Sequence, residues 1–357
     1  MDERATRIRI ADVAREAGVS KTAVSFAFNS PGRLRPETAS RILEIADLLG
    51  YRPNPVARML TQRRTMTIGV VTPKALSVSF SNPYFGAFAE GVALAAEQSG
   101  YGLHFISPLH GSLARAVDRA TVDGVVAIGL HGSHPEVEEL QRGGLPFVLV
   151  DSSALPDLPS IDVDDEGGAK AAAEHLLELG HREFLIVGVE PPPSDRGLDP
   201  GSVTACRLRG YRTALAEAGI ELADDRVVIG PATVDAGFAA YVRAWAAGLR
   251  PTGVLAMADA TAIGVLRAVR EQGLSVPRDV SVVGFDDIDL APHVDPPLTT
   301  IHQPVRRKGE EAVRLLLGAV SGRNRGRTAH LRLNARLIVR SSTGPPPRPG
   351  RPPKKRR

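Results

Sequence analysis

The sequence predicts a small all-α helix-turn-helix head joined to a two-lobed α/β body of doubly wound parallel sheets. Three observations predict it. Apolar residues repeat at helical spacing through the first fifty positions. From residue 66 onward, short apolar runs alternate with helical segments in two successive series. The charge is partitioned: residues 1–65 carry 12 Lys and Arg against 7 Asp and Glu, residues 344–357 carry 6 against none, and residues 66–343 carry 26 against 33. Basic ends suit a polyanion, and an acidic body does not.

In the head, Ile10, Val13, Ala14 and Ala17 fall at i, i+3, i+4 and i+7, one stripe of a helix. Gly18-Val19-Ser20 reads as a tight turn ending on a capping serine, and a second helix runs from Lys21 to about Phe28. Asn29-Ser30-Pro31-Gly32 is a loop, and Ala39, Ile42, Leu43, Ala46 and Leu49 mark a third helix. Residues 51–65 form a linker in which Val56–Leu60 has room for a helical turn.

The body begins with a strand at Thr67–Val71, then a helix over 83–99. Strands at Leu103–Ile106, Gly124–Ile128 and Phe147–Val150 alternate with helices at 111–121 and 135–142. After Asp164 the cycle restarts. Strands Phe184–Val187, Val227–Ile229, Val254–Met257 and Val280–Val283 are interleaved with helices 167–179, 205–218, 235–247 and 259–272. Continuously apolar strands are what parallel strands covered on both faces require. Two series of similar length imply two lobes, with ligands bound beyond the carboxyl ends of the strands in the cleft between them. The divisions expected are therefore 1–50 for the head, 51–65 for the linker, 66–343 for the body and 344–357 for a disordered, Pro- and Arg-rich tail.

Composition removes several classes of function. A hydrophobic share of 43% with 24% charged residues belongs to an ordinary globular chain. Apolar runs of about six residues fall far short of the ~20 that span a bilayer. The N-terminus Met1-Asp2-Glu3-Arg4 has no apolar stretch behind it, so a cytoplasmic protein close to the nucleoid is expected. The single cysteine, Cys206, leaves no disulfide framework or cysteine zinc site. No Gly-x-Ser-x-Gly elbow, P-loop or His-Glu-x-x-His sequence occurs, so neither an enzyme nor a cofactor is expected. His131 and His134 lack a nearby acid or cysteine and read as loop residues rather than metal ligands.

On the second helix, Val24, Ala27 and Phe28 turn to one side. Lys21, Thr22, Ser25, Phe26 and Asn29 cover the other, with Phe26 expected to be exposed. A helix placed this way after a Gly-Val-Ser turn suits the DNA major groove: Lys21 for guanine O6 or N7, Thr22 and Ser25 for base edges or phosphates, Phe26 for a thymine methyl. A helical protein-binding module is the competing reading of the same residues.

Ile10-Ala11-Asp12-Val13-Ala14-Arg15-Glu16-Ala17-Gly18-Val19-Ser20, with Val24-Ser25, Asn29, Glu37-Thr38, Gly50-Tyr51, Pro53-Asn54 and Val56-Ala57-Arg58-Met59-Leu60, closely resembles the DNA-binding head of the lactose and purine repressor (LacI/GalR) family. The resemblance continues through Val163-Asp164-Asp165, Gly167-Gly168, His175-Leu176, Leu179-Gly180-His181, Val280–Asp287 and Pro297–Ile301, covering about residues 8–342. It implies a periplasmic-binding-protein-like body and a homodimeric regulator, most simply a repressor, on a pseudo-palindromic double-stranded operator. It also implies control by a small-molecule effector in the cleft, a sugar first and a nucleoside second. Asn54 would start a hinge helix, Ala57 let two such helices approach, and Leu60 wedge between base pairs in the minor groove.

The resemblance assigns Tyr84 and Phe85 to the cleft wall, Arg207 to the effector and Asp286 to its hydroxyls. Read without it, Tyr84 and Phe85 are core aromatics, Arg207 a surface cation and Asp286 a cap. Two positions depart from the family pattern. Phe26 stands where a polar or basic residue is usual, and Ala258 where Ser or Asn is usual, which removes one polar effector contact. The long loop 191–201 is expected over the cleft mouth. The rival architectures are a solute-binding protein of a transport system and an enzyme on a doubly wound sheet.

Overall fold

The computed structural model describes residues 8–54, 59, 64–108, 112–132, 134–152, 157–190, 200–322 and 329–347. The chain divides into two compact units, Met1–Met66 and Thr67–Arg357.

In the first unit, α1 (Ile10–Glu16), α2 (Lys21–Asn29) and α3 (Pro36–Leu48) enclose a core of Val13, Ala14, Ala17, Val24, Ala27, Ile42, Ala46 and Tyr51. Local chemistry sets each boundary. The Asp12 carboxylate accepts from the Arg9 amide at 2.9 Å, satisfying an orphan donor where α1 begins. Gly18 turns the chain at φ +64°, a conformation that costs glycine nothing. The Ser20 hydroxyl accepts from the Ala23 amide at 3.1 Å and caps α2. Arg41 on α3 donates to the Ala17 carbonyl at 3.2 Å, tying α3 to the end of α1. Gly50, at φ +67°, lets the Tyr51 amide return to the Ala46 carbonyl at 2.8 Å. The Tyr51 ring then meets Phe28 edge-on at 5.7 Å.

The body holds two six-stranded sheets. The first lobe contributes β1 (Thr67–Val71), β2 (Gly102–Ile106), β3 (Gly124–Ile128), β4 (Phe147–Val150) and β5 (Ser160–Val163). Its helices are α4 (Leu76–Phe80), α5 (Pro83–Gln98), α6 (Leu113–Asp118) and α7 (Pro135–Arg142). The second lobe contributes β6 (Phe184–Val189), β7 (Val227–Gly230), β8 (Gly253–Ala256), β9 (Ser281–Asp286) and β10 (Thr299–His302). Its helices are α8 (Asp165–Glu178), α9 (Val203–Glu217), α10 (Val234–Ala246) and α11 (Asp259–Glu271).

The chain then returns through α12 (Val305–Val320), which packs on the first lobe, and adds β11 (His330–Leu333) to the first sheet and β12 (Arg336–Ile338) to the second. The strand orders are β11-β5-β4-β3-β1-β2 and β12-β10-β9-β8-β6-β7. Neighbours are parallel throughout except β10 and β12. The chain therefore passes between lobes three times, after β5, after β10 and between β11 and β12.

Several elements depart from the sequence expectation. The helix expected over 111–121 spans only Leu113–Asp118. Residues α4, β5, β10, α12, β11 and β12 occupy were not assigned to any element beforehand. The expected tail begins at Gly344, yet Gly344 is tied to the second lobe: its carbonyl accepts from Ser281 Oγ at 3.0 Å and lies 2.9 Å from His181 Nε2. Where α5 and α12 cross, a Cβ on Gly91 would stand 1.9 Å from the Arg306 carbonyl oxygen, so only glycine permits that approach.

Both sheets reverse strand order in the same place. β1 and β3 flank the switch in one, β6 and β8 in the other, and ligands of such sheets bind outside the carboxyl ends at the switch.

Candidate functional site

On α2, Lys21 and Thr22 are exposed, while Ser25, Phe26 and Asn29 are half-buried. Lys21, Thr22, Ser25 and Asn29 fall within one 100° arc of the helix. Asn29 Nδ2 donates to Ser25 Oγ at 3.3 Å, one turn back, so these two side chains hold each other. The expectation of a freely exposed Phe26 is corrected: the Arg33 guanidinium, on the single 3₁₀ turn Pro31–Arg33, lies 5.2 Å from the centre of its ring. A cation and a π-face thus stand together at the end of α2. Sequence reasoning passed over Arg33, although an arginine following the recognition helix in a Pro-Gly turn was in view. Asn54 lies within the described residues; Ala57 and Leu60, the two remaining linker positions, lie outside them.

In the body, a cavity of about 220 Å³ opens at the two switch points. The residues just beyond the strands line it: Thr72 after β1, Gly129 after β3, Asp151 after β4, Glu190 after β6, Met257 after β8, and Asp286 at the end of β9. Strain gathers there. Asp151 and Asp286 hold φ values of +56° and +125°, conformations that non-glycine residues rarely adopt.

The polar groups of the floor form one network. Arg207 Nε donates to Asp165 Oδ1 at 2.8 Å, Nη1 donates to the Met257 carbonyl, and the guanidinium stacks 3.5 Å from the Phe285 ring centre. Asp286 Oδ1 lies 3.9 Å from Arg207 Nη1 and accepts from Gln303 Nε2 at 2.6 Å. Lys308 donates to Gln303 Oε1 at 2.5 Å, to Tyr84 OH at 3.1 Å, and to Asp151. Tyr84 OH completes the circuit by donating to the other oxygen of Asp151.

Burial is the dominant influence on these groups. It pushes Asp286 up to about 7, against the lowering pull of Arg207 and Gln303. It raises Asp165 in the same way, and it raises the Tyr84 phenol with help from Asp151. For Arg207 burial works downward, but Asp165 and Asp286 outweigh it and hold the guanidinium above its ordinary range.

The structure brings Tyr84, Phe85, Arg207 and Asp286 to this one cavity. Asn82 positions the aromatic pair, its side chain accepting from the Tyr84 amide at 3.0 Å to cap α5. Phe85 is mostly core: only 5% exposed, it packs edge-on against Phe80 and Phe105. Arg207 is 6% exposed on α9, which removes the surface-cation alternative. Ala258 lines the cavity and brings no polar atom of its own side chain to it.

His131 and His134 also line the cavity; His134 Nδ1 accepts from the Glu136 amide at 3.2 Å and caps α7. Among the described residues no group of three or more acidic, histidine or cysteine side chains is placed to hold a metal ion. Of the loop 191–201, residues 191–199 lie outside the described residues.

Sequence reasoning missed Asp151, Asp165, Gln303 and Lys308. Asp151 had a signal, a carboxylate directly after an apolar strand, as at Asp286. Lys308 had another, a lysine on the core-facing stripe between Val305 and Ala312.

Comparison with known proteins gives the same division. Residues 9–54 match the family described as bacterial regulatory proteins, lacI family, and residues 173–343 match the periplasmic binding protein-like domain. Catabolite control protein A of Priestia megaterium is 32% identical over 324 residues, 87% of this chain and 91% of that protein. A transcriptional regulator CelR–cellobiose complex is 30% identical with a TM-score of 0.69, covering 94% of this chain and all of the other. A lac repressor dimer bound to operator and the anti-inducer ONPF is 26% identical with a TM-score of 0.80, covering 95% of this chain and all of the other.

Proposed function

Because the chain belongs to the LacI family of bacterial regulatory proteins, we propose that it is a cytoplasmic repressor acting as a homodimer on a pseudo-palindromic operator. An effector in the interlobe cleft, a sugar, sets its affinity for DNA. The chain is a transcriptional regulator and not an enzyme, as its relatives are.

One observation carries the effector reading: the carboxyl ends of both sheets converge on a single cavity whose floor joins Asp151 of the first lobe to Asp286 of the second. A ligand touching both carboxylates contacts groups whose separation depends on the angle between the lobes. It therefore binds one lobe arrangement better than another, which is the condition for shifting an equilibrium. Arg207 and Asp286 offer a donor and an acceptor to a hydroxylated ring, and Phe85, Ile128 and Val189 give it apolar walls. The CelR relative was solved with cellobiose, which supports a sugar; a nucleoside is the second candidate.

On the head, Lys21 and Thr22 are the exposed groups for base edges, with Ser25, Phe26 and Asn29 beside them and Asn54, Ala57 and Leu60 on the linker. Twofold symmetry of the protein would match a twofold site. A solute-binding protein of a transport system has no use for a head that matches regulatory proteins at 9–54. No helix of the described residues is long and apolar enough to cross a membrane.

Selection of bound duplexes from a randomised library tests the DNA half of the proposal. It should return an inverted repeat; recovery of unrelated sequences, or of a single unrepeated half-site by a monomer, would contradict it.

A further inference from the structure

Lys308 is fully buried on the inward stripe of α12, between Val305 and Ala312. Its three N–H bonds are all spent, on Asp151, Tyr84 OH and Gln303 Oε1. It lies beneath the floor and is not part of the cavity wall. Arg207 is spent in a similar way on Asp165 and the Met257 carbonyl, with Asp286 3.9 Å off. Lys74, on the wall, crosses between lobes to donate to the Glu190 carbonyl at 3.1 Å.

Among the described residues, the floor thus sets three carboxylates, Asp151, Asp165 and Asp286, against two cations that are already bonded. Asp286 Oδ1 is taken by Gln303, while its Oδ2 has no hydrogen bond to a described residue and Asp286 lines the cavity. What this surface offers a ligand is acceptors. An anion needs uncommitted donors and would instead face an excess of negative charge in a low-dielectric pocket.

Taking the cleft as the effector site, we infer that it admits an uncharged, hydroxyl-bearing ligand and discriminates against the same ligand carrying a phosphate. Lys308 determines this specificity indirectly: it orients Asp151 and, through Gln303, Asp286, while keeping its own charge out of reach. The raised pKa of Asp286 is the mark of the same unbalanced charge.

Calorimetric titration of the full chain with glucose, ribose, cellobiose and cytidine, each beside its monophosphate ester, tests the inference. At least one uncharged member should bind, and its ester at least tenfold more weakly, which corresponds to about 1.4 kcal/mol. Asp151→Asn, which strips Lys308 of its counter-ion, should narrow that ratio. Asp286→Asn serves where the first variant folds poorly, because Asp286 is not bonded to Lys308, and it should narrow the ratio too. An ester binding as tightly as its parent would overturn the charge selectivity while leaving the cleft as an effector site. A ratio unmoved by both variants would overturn the assignment to these carboxylates. Binding by no member would overturn the effector reading and this inference together.

Discussion

Replacing Arg207 with methionine keeps much of the side chain's length and apolar contact and removes the guanidinium. In the native chain that group is only 7% exposed and is bonded 2.8 Å from Asp165, itself 10% exposed. The variant leaves Asp165 without its partner inside the second lobe. Breaking a buried pair from one side costs about 3–5 kcal/mol, because the surviving charge is neither solvated nor paired. The stack on Phe285 and the bond to the Met257 carbonyl disappear with it.

The loss should depend on pH. Burial already raises Asp165, and without Arg207 it rises further, so the variant's native state holds a proton that the unfolded state releases. Its deficit therefore grows as pH rises from 5 to 8. Asp165→Asn added to Arg207→Met removes the stranded charge and should recover most of the loss. Equilibrium unfolding in urea, following the body at pH 5 and pH 8, measures all three variants. A single variant within about 1 kcal/mol of the parent at pH 8, or a double variant no more stable than the single, would refute a buried ion pair at this position.

Lys21→Ala should weaken binding to a selected operator by about 1–3 kcal/mol, roughly 5- to 150-fold, and relax preference at one base position, read by anisotropy against single-base variants of the site. A uniform loss on all sequences would assign Lys21 to phosphate instead. Asp286→Asn should gain thermal stability on the parent as pH rises from 4 through about 7 and hold that gain above it, since the native carboxyl binds its proton up to about 7 and the unfolded one does not; a difference in melting temperature independent of pH would contradict the raised value. Gly91→Ala drives a methyl group into the Arg306 carbonyl at the crossing of α5 and α12 and should cost about 1–3 kcal/mol in urea unfolding; a neutral result would mean that the two helices separate freely.

The sequence made some parts of this molecule readable for clear physical reasons. Helices of the head showed because one face is apolar at Val13, Ala14 and Ala17 and again at Ile42 and Ala46. The central strands showed because parallel strands covered on both faces must be apolar throughout, as Val125, Val126 and Ala127 are. Edge elements carry no such mark. β5, Ser160–Val163, is short and half polar, and its place in the sheet depends on β11, which joins it in parallel from His330–Leu333. No local pattern reports a pairing at that separation. The same limit hid half of the cleft. Asp151 and Lys308, 157 positions apart, meet only because α12 returns to the first lobe. Arg207 and Asp286 were reached through motif resemblance, which carries single positions and not the partners that orient them.

Affinity of the full chain for a selected duplex, measured by anisotropy with and without a saturating uncharged ligand of the cleft, tests ligand-controlled DNA reading most directly. Binding should be far tighter than to a scrambled duplex of equal length at the same salt, and the ligand should shift it by about 5- to 150-fold. Equal affinity for both duplexes, or an operator affinity indifferent to a saturated cleft, would contradict it.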